Sequence, residues 1–539
     1  MTNKIFFGEH GRRRIKSGGD IAYEAVRTSY GPLAHDTMID RKFADPVMTH
    51  DGVTIIESLN LKEERETIGF NAGIKKLKVA SRKLNNDDGD GTSGVVILNH
   101  FVSEGANRRL RGGHNAQYLK RGMNMALDEV LQKINALSEP IEPSSSRLKD
   151  VAYVSASDEE IGSLVAEVVS KVGKEGVITI ETSGGFESTP EYVDGYTFDR
   201  GYLSHVFVTD GEEQEAVFTN PVVITSTKRI DTITELLPIL KENVEANKSM
   251  LFIVDDIDDK VLEFFVKNKL QGLMNVAVVK APSWADNRAR MMDDLSVLLG
   301  SQEKADGIKQ GVAAKVIVTK TQTTIVSVDE TKPAVQARID EITNQEKAET
   351  VQSEKEHLRN RRALLTGMMA VIRVGGTSEA DVEKKRFDYD DAICSARAAL
   401  VDGIVAGGGI TLINLADSLD IPKYRKRNHW FWPRKITTAD TIQAGRDVVK
   451  QALYHPFLQL MENSGLNGKK LLKQVRQAPA GYGVNIFKPE DGIVDMKKAG
   501  VPDATKIVKD IITIAVSDAS TTSTAGALIT DVNDDRVLE

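Results

Sequence analysis

Four short β-rich runs, Val222-Val223-Ile224, Leu251-Phe252-Ile253-Val254, Val276-Ala277-Val278-Val279 and Val316-Ile317-Val318, sit in the middle of a chain whose two ends are patterned for helix. In the first quarter Leu119, Met123, Ala126, Leu127, Val130 and Ile134 recur every three or four residues and predict one apolar helical stripe. In the last quarter Ile507, Ile511, Ile514 and Ala515 keep the same period, just after Pro502 and Asp503. Helical ends around an α/β centre describe either three successive domains or one domain interrupted by an insertion. The sequence has no internal repeat at a fixed period and no low-complexity tract.

At 539 residues the chain exceeds what one core can serve, and ~150 residues per domain predicts about three or four domains. With 41% hydrophobic and 27% charged residues it is too apolar for disorder. Its net charge of -8 argues against a general nucleic-acid binder, which would carry a basic face. The single cysteine, Cys394, excludes an internal disulfide framework and fits a reducing compartment. Near the N-terminus Ile5-Phe6-Phe7 precedes Arg12-Arg13-Arg14, the wrong order for a signal peptide. No apolar run approaches the ~18 residues of a membrane span, so the expected location is the cytoplasm.

Two glycine loops carry chemistry. Asn85 to Gly94 (NNDDGDGTSG) precedes the apolar run Val95 to Leu98 and reads as a glycine-rich turn opening a helix. Such a turn lets backbone N–H groups and a helix N-terminus meet phosphate, with hydroxyls from Thr92 and Ser93. Asp90 suits Mg²⁺, which takes one or two carboxylates beside phosphate oxygens. Taken alone, the loop reads more readily as a helix cap with an acidic turn. Ala406-Gly407-Gly408-Gly409 likewise opens the helix Ile410 to Leu415, where tight helix packing is the plain alternative. Gly31-Pro32 and His50-Asp51-Gly52 are further turns. None is a Walker loop, because no glycine run ends in Gly-Lys-Ser or Gly-Lys-Thr. ATP hydrolysis needs one carboxylate for Mg²⁺ and another to orient or deprotonate water, and Asp51, Asp90 and the pair Asp390-Asp391 are the candidates. Loops so far apart serve one site only if the centre is an insertion.

These segments, with Lys171 to Thr179, Phe198 to Ser204 and Asp402 to Gly409, resemble the group I chaperonins over essentially the whole chain. The resemblance implies a multi-domain α and α/β fold: a mainly helical equatorial ATPase domain from residues 1–138 and 402–539, a small α/β intermediate domain from 139–194 and 368–401, and an inserted α/β apical domain at 195–367. It places Tyr30, Gly31, Pro32, Gly91, Thr92 and Ser93 around ATP or ADP, Asp90 on Mg²⁺, and Gly408, Asn485, Ile486 and Asp503 at ribose and adenine. Asp51 and Asp391 match the two hydrolytic carboxylates, Asp391 being swung in on closure. Tyr202, Ser204, Val206, Phe207, Leu237, Leu240, Leu262 and Val266 match a groove for non-native polypeptide. Some of these are open to a core reading, Leu237 and Leu240 above all. Arg200 and Glu379 match a cross-subunit ion pair.

The implied partners are non-native clients and further copies in a homo-oligomeric ring, seven by resemblance, with no membrane and no nucleic acid. Whether a lid co-chaperonin or K⁺ takes part is left open. The sequence departs from the family at several places. His50 replaces a lysine before Asp51, the threonine run shortens to Thr92-Ser93-Gly94, Val206 replaces an aromatic and Lys267 an apolar residue. The ring-to-ring arginine and glutamate appear as Leu458 and Asn467, so weak or rearranged ring pairing is expected. A glycine- and methionine-rich tail is missing, the chain ending Asp534 to Glu539. Lys423 to Lys435, with Tyr424, Trp430, Phe431 and Trp432, has no counterpart; an inter-subunit or buried loop is weighed above a nucleic-acid contact. An ATP-driven folding machine is the leading function. A passive holdase would have lost the carboxylates, and a small-molecule kinase would need an acceptor pocket that no feature marks.

Overall fold

The computed structural model describes residues 2–41, 46–62, 67–173, 178–183, 185–210, 214–282, 285–305, 307–349, 352–421 and 436–532. The segment Lys423 to Lys435 and the terminal run Asp534 to Glu539 lie outside the described residues. The chain separates into two compact units. One is built from both ends, 1–170, 182–189 and 374–539, and the other from 171–181 and 190–373. The insertion reading therefore describes the architecture. The segments expected to form a separate intermediate domain divide between the two units, the helices Arg147–Ala156, Glu159–Val172 (up to Ser170) and Glu379–Asp402 going with the chain ends.

The unit of the chain ends is mainly helical. In the helix Ala116–Leu137 the predicted stripe of Leu119, Met123, Ala126, Leu127, Val130 and Ile134 is buried, and Asn115 caps its start by accepting from the Gln117 and Tyr118 N–H groups. Its neighbour is the helix Thr438–Ala452. There, a Cβ on Gly122 would lie 2.0 Å from the Ile442 carbonyl oxygen and one on Gly445 2.2 Å from that of Leu119, so backbone meets backbone and only glycine fits at either side. The helix Thr505–Ser523 buries Ile507, Ile514 and Ala515 as its periodicity predicts, and packs on the helices Thr92–Arg111 and Ala116–Leu137. First and last described strands, Thr2–Phe7 and Ala527–Val532, pair antiparallel with Thr2 opposite Val532. Leu458 packs on the core, and Asn467 caps the helix Gly468–Val475 by accepting from the Lys470 N–H. Both departures at the expected ring-to-ring positions thus have local structural work.

The central unit holds two sheets. Val222–Ser226, Met250–Val254 and Val276–Lys280 run parallel in adjacent register, and the first two are buried at every position. Their unbroken apolar runs follow from crossover helices, Leu237–Glu245 and Asp259–Leu270, connecting the strands. Two antiparallel strands, Gln302–Ala305 and Ile308–Val312, extend this sheet. The second, six-stranded sheet contains Lys315–Val318, the fourth predicted run. Asp294, wholly inaccessible to solvent, accepts two hydrogen bonds from the buried Arg361 at 2.7 and 2.8 Å and one from Arg338 at 2.9 Å.

A carboxylate removed from water in this way is tolerated because the guanidinium fork meets both oxygens, and removing one partner strands the other. Arg361→Met should lower the stability of the central unit by on the order of 3 kcal/mol, and Asp294→Leu in the same chain should recover most of that loss. Denaturant unfolding reads both changes, and an unmoved midpoint in Arg361→Met would show that Arg338 alone carries the charge.

Candidate functional site

Within the unit of the chain ends, a cavity of about 520 Å³ is lined by the first residues of several helices and the turns before them. Asp51 and Gly52 open the helix Gly52–Ser58, Gly91 to Gly94 open Thr92–Arg111, Gly408 and Gly409 open Ile410–Ser418, and Ala504 precedes Thr505–Ser523. Helix N-termini present unpaired N–H groups and partial positive charge, so their convergence suits an anion. The volume falls within the ~300–1,000 Å³ of small-molecule clefts.

The predicted phosphate turn is shorter than the sequence suggests. Asn85 and the following residues to Asp88 still belong to the helix Phe70–Asp88, which ends when the Gly89 N–H donates to the Asn85 carbonyl at 2.9 Å with φ of 71°. Gly91 adopts φ of 84°, and a Cβ there would meet Ile507 and Ile511 at 2.8 Å, so the turn requires glycine for both conformation and space. At Gly94, where the family pattern has a hydroxyl residue, a Cβ would lie 3.2 Å from Ile511 and 3.7 Å from Tyr30. Bulk from the last helix fills what the shortened threonine run gives up. The buried Asp88 pairs with Lys506, tying the end of one helix to the start of another.

Asp90 is held from three directions. Its Oδ1 accepts from the Gly91 N–H, and its Oδ2 accepts from Ser395 Oγ at 2.5 Å and Ser155 Oγ at 3.0 Å. Each carboxylate oxygen has two lone pairs, so Oδ2 is filled and Oδ1 keeps one acceptor position, which a metal could take. Asp51 accepts from the Val53 N–H at 3.1 Å, the Thr54 N–H at 2.9 Å and Thr54 Oγ1 at 2.6 Å, with Thr92 Oγ1 at 3.5 Å. Its carboxylate is thus a helix cap that also faces the phosphate turn.

Asp391 lies well inside the helix Glu379–Asp402 and opens into the cavity. Burial, then the negative charges of Asp90, Asp51, Asp390 and Asp388, push its carboxyl well above the usual range. Asp503 is pushed to about 7 by burial and by Asp90, and the Tyr30 phenol is pushed up by burial, Asp503 and Asp90. Carboxylates perturbed by one another in a cleft are the electrostatic mark of a functional site. Cys394, on the same helix, is also pushed up by burial and by Asp390 and Asp391. A raised thiol is the opposite of the lowered one that nucleophilic chemistry uses.

Tyr30, Gly31, Pro32, Asp51, Asp90, Gly91, Thr92, Ser93, Asp391, Gly408, Ile486 and Asp503 all line the cavity. Asn485 does not; it is buried, and its side-chain oxygen accepts from the Phe487 N–H at 3.0 Å. Sequence reasoning missed Ser155, Ser395 and Asp388. Only the four-residue spacing from Asp391 to Ser395 hinted that the latter shares a helix face. In the central unit, Phe207 is 0% and Leu240 4% exposed, so both belong to the core and not to a surface groove. Leu237 is 49% exposed, while Tyr202, Ser204, Val206, Leu262 and Val266 are part-buried. Lys267 is exposed and pairs with Glu263. Arg200 bonds locally, donating to the Asp199 carbonyl at 2.9 Å, and Glu379 is exposed at the start of its helix.

A family model described as the TCP-1/cpn60 chaperonin family matches residues 23–522. Among solved structures, the chaperonin gp146 from the bacteriophage EL 2 (Pseudomonas aeruginosa), crystallised in the presence of ATP-BeFx, is similar with a TM-score of 0.68. The two sequences are 16% identical, and the match covers 98% of this chain and 99% of that one, a likeness of fold.

The raised Asp503 carboxyl makes stability depend on pH. Its ordinary value is 3.8 and its folded value about 7, so between the two the native state holds a proton that the unfolded chain has released. Its contribution to stability is present below the lower value and is lost as pH rises through the upper one. Asp503→Asn should therefore gain thermal stability over the parent as pH is raised from about 4 to about 7. Parallel melting curves for the two proteins across that window would refute the shift.

Proposed function

The chain belongs to the TCP-1/cpn60 chaperonin family, and from that premise we propose that it is an ATP-driven chaperone whose hydrolytic centre is the cavity around Asp90. The observation that carries the proposal is the meeting, in one cavity of about 520 Å³, of helix N-termini with Asp51, Asp90 and Asp391. Backbone N–H groups at Thr92 and Ser93 would hold the phosphates, and Asp90 would hold magnesium. A bound Mg²⁺ supplies positive charge that offsets Asp90 and the phosphate oxygens.

Asp391 accepts a proton from the attacking water, while Asp51, fixed by its helix, orients that water. The water oxygen forms a bond to the γ-phosphorus and the bond to the bridging oxygen breaks, giving ADP and phosphate. Ile486 and Asp503 flank the base and sugar. These retained carboxylates weigh against a passive holdase.

For the coupled work, the exposed Leu237, with Tyr202, Ser204, Val206, Leu262 and Val266, offers a client-facing surface on the central unit. Leu270 and Leu273, 70% and 61% exposed, extend its apolar character. Copies of the chain form a ring, in which Arg200 and Glu379 couple neighbours.

Purified protein should hydrolyse ATP when Mg²⁺ is present and lose activity when it is chelated. Asp391→Ala should bind ATP as the parent does but turn over at least ~100-fold more slowly, the scale of general-base catalysis. Undiminished turnover in that variant would take Asp391 out of the mechanism.

A further inference from the structure

The helix Glu379–Asp402 presents Lys384, Asp388, Asp391 and Ser395 to the cavity, a spacing of four, three and four residues that places them on one face. Ser395 is fastened to Asp90. The other end of the stripe is fastened at the cavity rim. Lys384 Nζ lies 3.7 Å from Asp36 Oδ2, and His50 Nε2 lies 3.3 Å from Asp388 Oδ1. The second ring nitrogen of His50, Nδ1, lies 3.4 Å from Asp36 Oδ1. Asp391, the proposed base, sits between these two fastenings.

We propose that His50 is a positioning residue, a cation that docks the helix Glu379–Asp402 on the cavity rim through Asp388 and so holds Asp391 in place. The inference rests on the hydrolytic reading above only for its effect on turnover. Its first support is the geometry of the imidazole. Both ring nitrogens face carboxylates, and a neutral imidazole has one N–H to give, so both contacts are satisfied only by the doubly protonated ring. Its second support is Asp388, which is only 8% exposed. A carboxylate so placed needs a cation, and losing it leaves a buried negative charge three residues from Asp391. That charge already helps to raise Asp391.

The charged groups facing His50 are Asp36 on the rim and Asp388 and Lys384 on the helix. The hydrogen bond to Asp388 leads in raising its pKa above 6.5, with burial and Lys384 opposing. A raised histidine gives its stabilisation fully below the unfolded value and loses it as pH rises through the folded one. Docking is therefore firm in mild acid and weakens on the alkaline side.

The test uses the full chain with His50→Gln, His50→Lys and Asp388→Asn, in two measurements. Amide hydrogen exchange without nucleotide, corrected for intrinsic rates, should show helix 379–402 better protected at about pH 6 than at about pH 9 in the parent. His50→Lys should stay protected at both, and His50→Gln and Asp388→Asn at neither. In MgATP turnover, His50→Gln should lower kcat about tenfold with KM for ATP little changed, since the lost group positions a catalytic residue without touching nucleotide. His50→Lys should abolish the alkaline fall in kcat seen in the parent. Exchange and pH profiles in His50→Gln identical to the parent, or an alkaline fall retained in His50→Lys, would overturn the proposal. Should the parent fail to hydrolyse ATP, the functional reading falls while the exchange measurement still decides the docking. Should His50→Gln fail to fold, His50→Lys and Asp388→Asn carry the same comparison.

Discussion

Three hydrogen-bond donors from separated parts of the sequence, the Gly91 N–H and the hydroxyls of Ser155 and Ser395, end on the single carboxylate of Asp90. A partly buried carboxylate is costly unless its lone pairs are met, so these three segments must arrive together for any of them to be stable where it is. That requirement brings the helix Glu379–Asp402 to the phosphate turn. It also brings Asp391, already raised by burial, within reach of the charges of Asp90 and Asp51, which raise it further. The electrostatic tension of the site is thus a by-product of the knot that builds it.

Much of this was visible in the order of residues. The stripe from Leu119 to Ile134 has a period that only a helix satisfies, and its six members are buried together. The apolar runs at 222, 251 and 276 lack alternation because both faces of these strands are buried. Glycine turns at 91 and 408 carried the site, since their backbone needs are local. Less visible was everything set by partners remote in sequence. A lone serine such as Ser155 or Ser395 has no pattern to announce it. The run Asn85 to Asp88 looked like turn because asparagine and aspartate favour turns and caps, yet the neighbouring helix and the Gly89 cap extend the helix through it.

The client-facing positions show the same limit from the other side. Leu237 and Leu240 lie three residues apart on one helix, yet one is exposed and the other sealed in the core. Periodicity shows that a helix has an apolar stripe, while the width of that stripe decides which edge reaches solvent. Phe207, on the short helical turn His205–Phe207, is drawn wholly inward. Of the positions expected to face non-native polypeptide, Phe207 and Leu240 therefore lie in the core, and the charged Lys267 is exposed. Leu270 and Leu273, at and beyond the end of the helix Asp259–Leu270, are exposed.

The insertion also sets an order in time. Residues 190–373 form the bulk of the central unit in one uninterrupted stretch, whereas the cavity is not walled until the helix Thr505–Ser523 has been made. At ~5–20 residues per second of synthesis, the interval is on the order of ten to thirty seconds. On the function proposed, the nascent chain through that interval carries a surface for apolar polypeptide before it owns the nucleotide site that would govern it. Its own unfinished C-terminal third is the nearest such polypeptide.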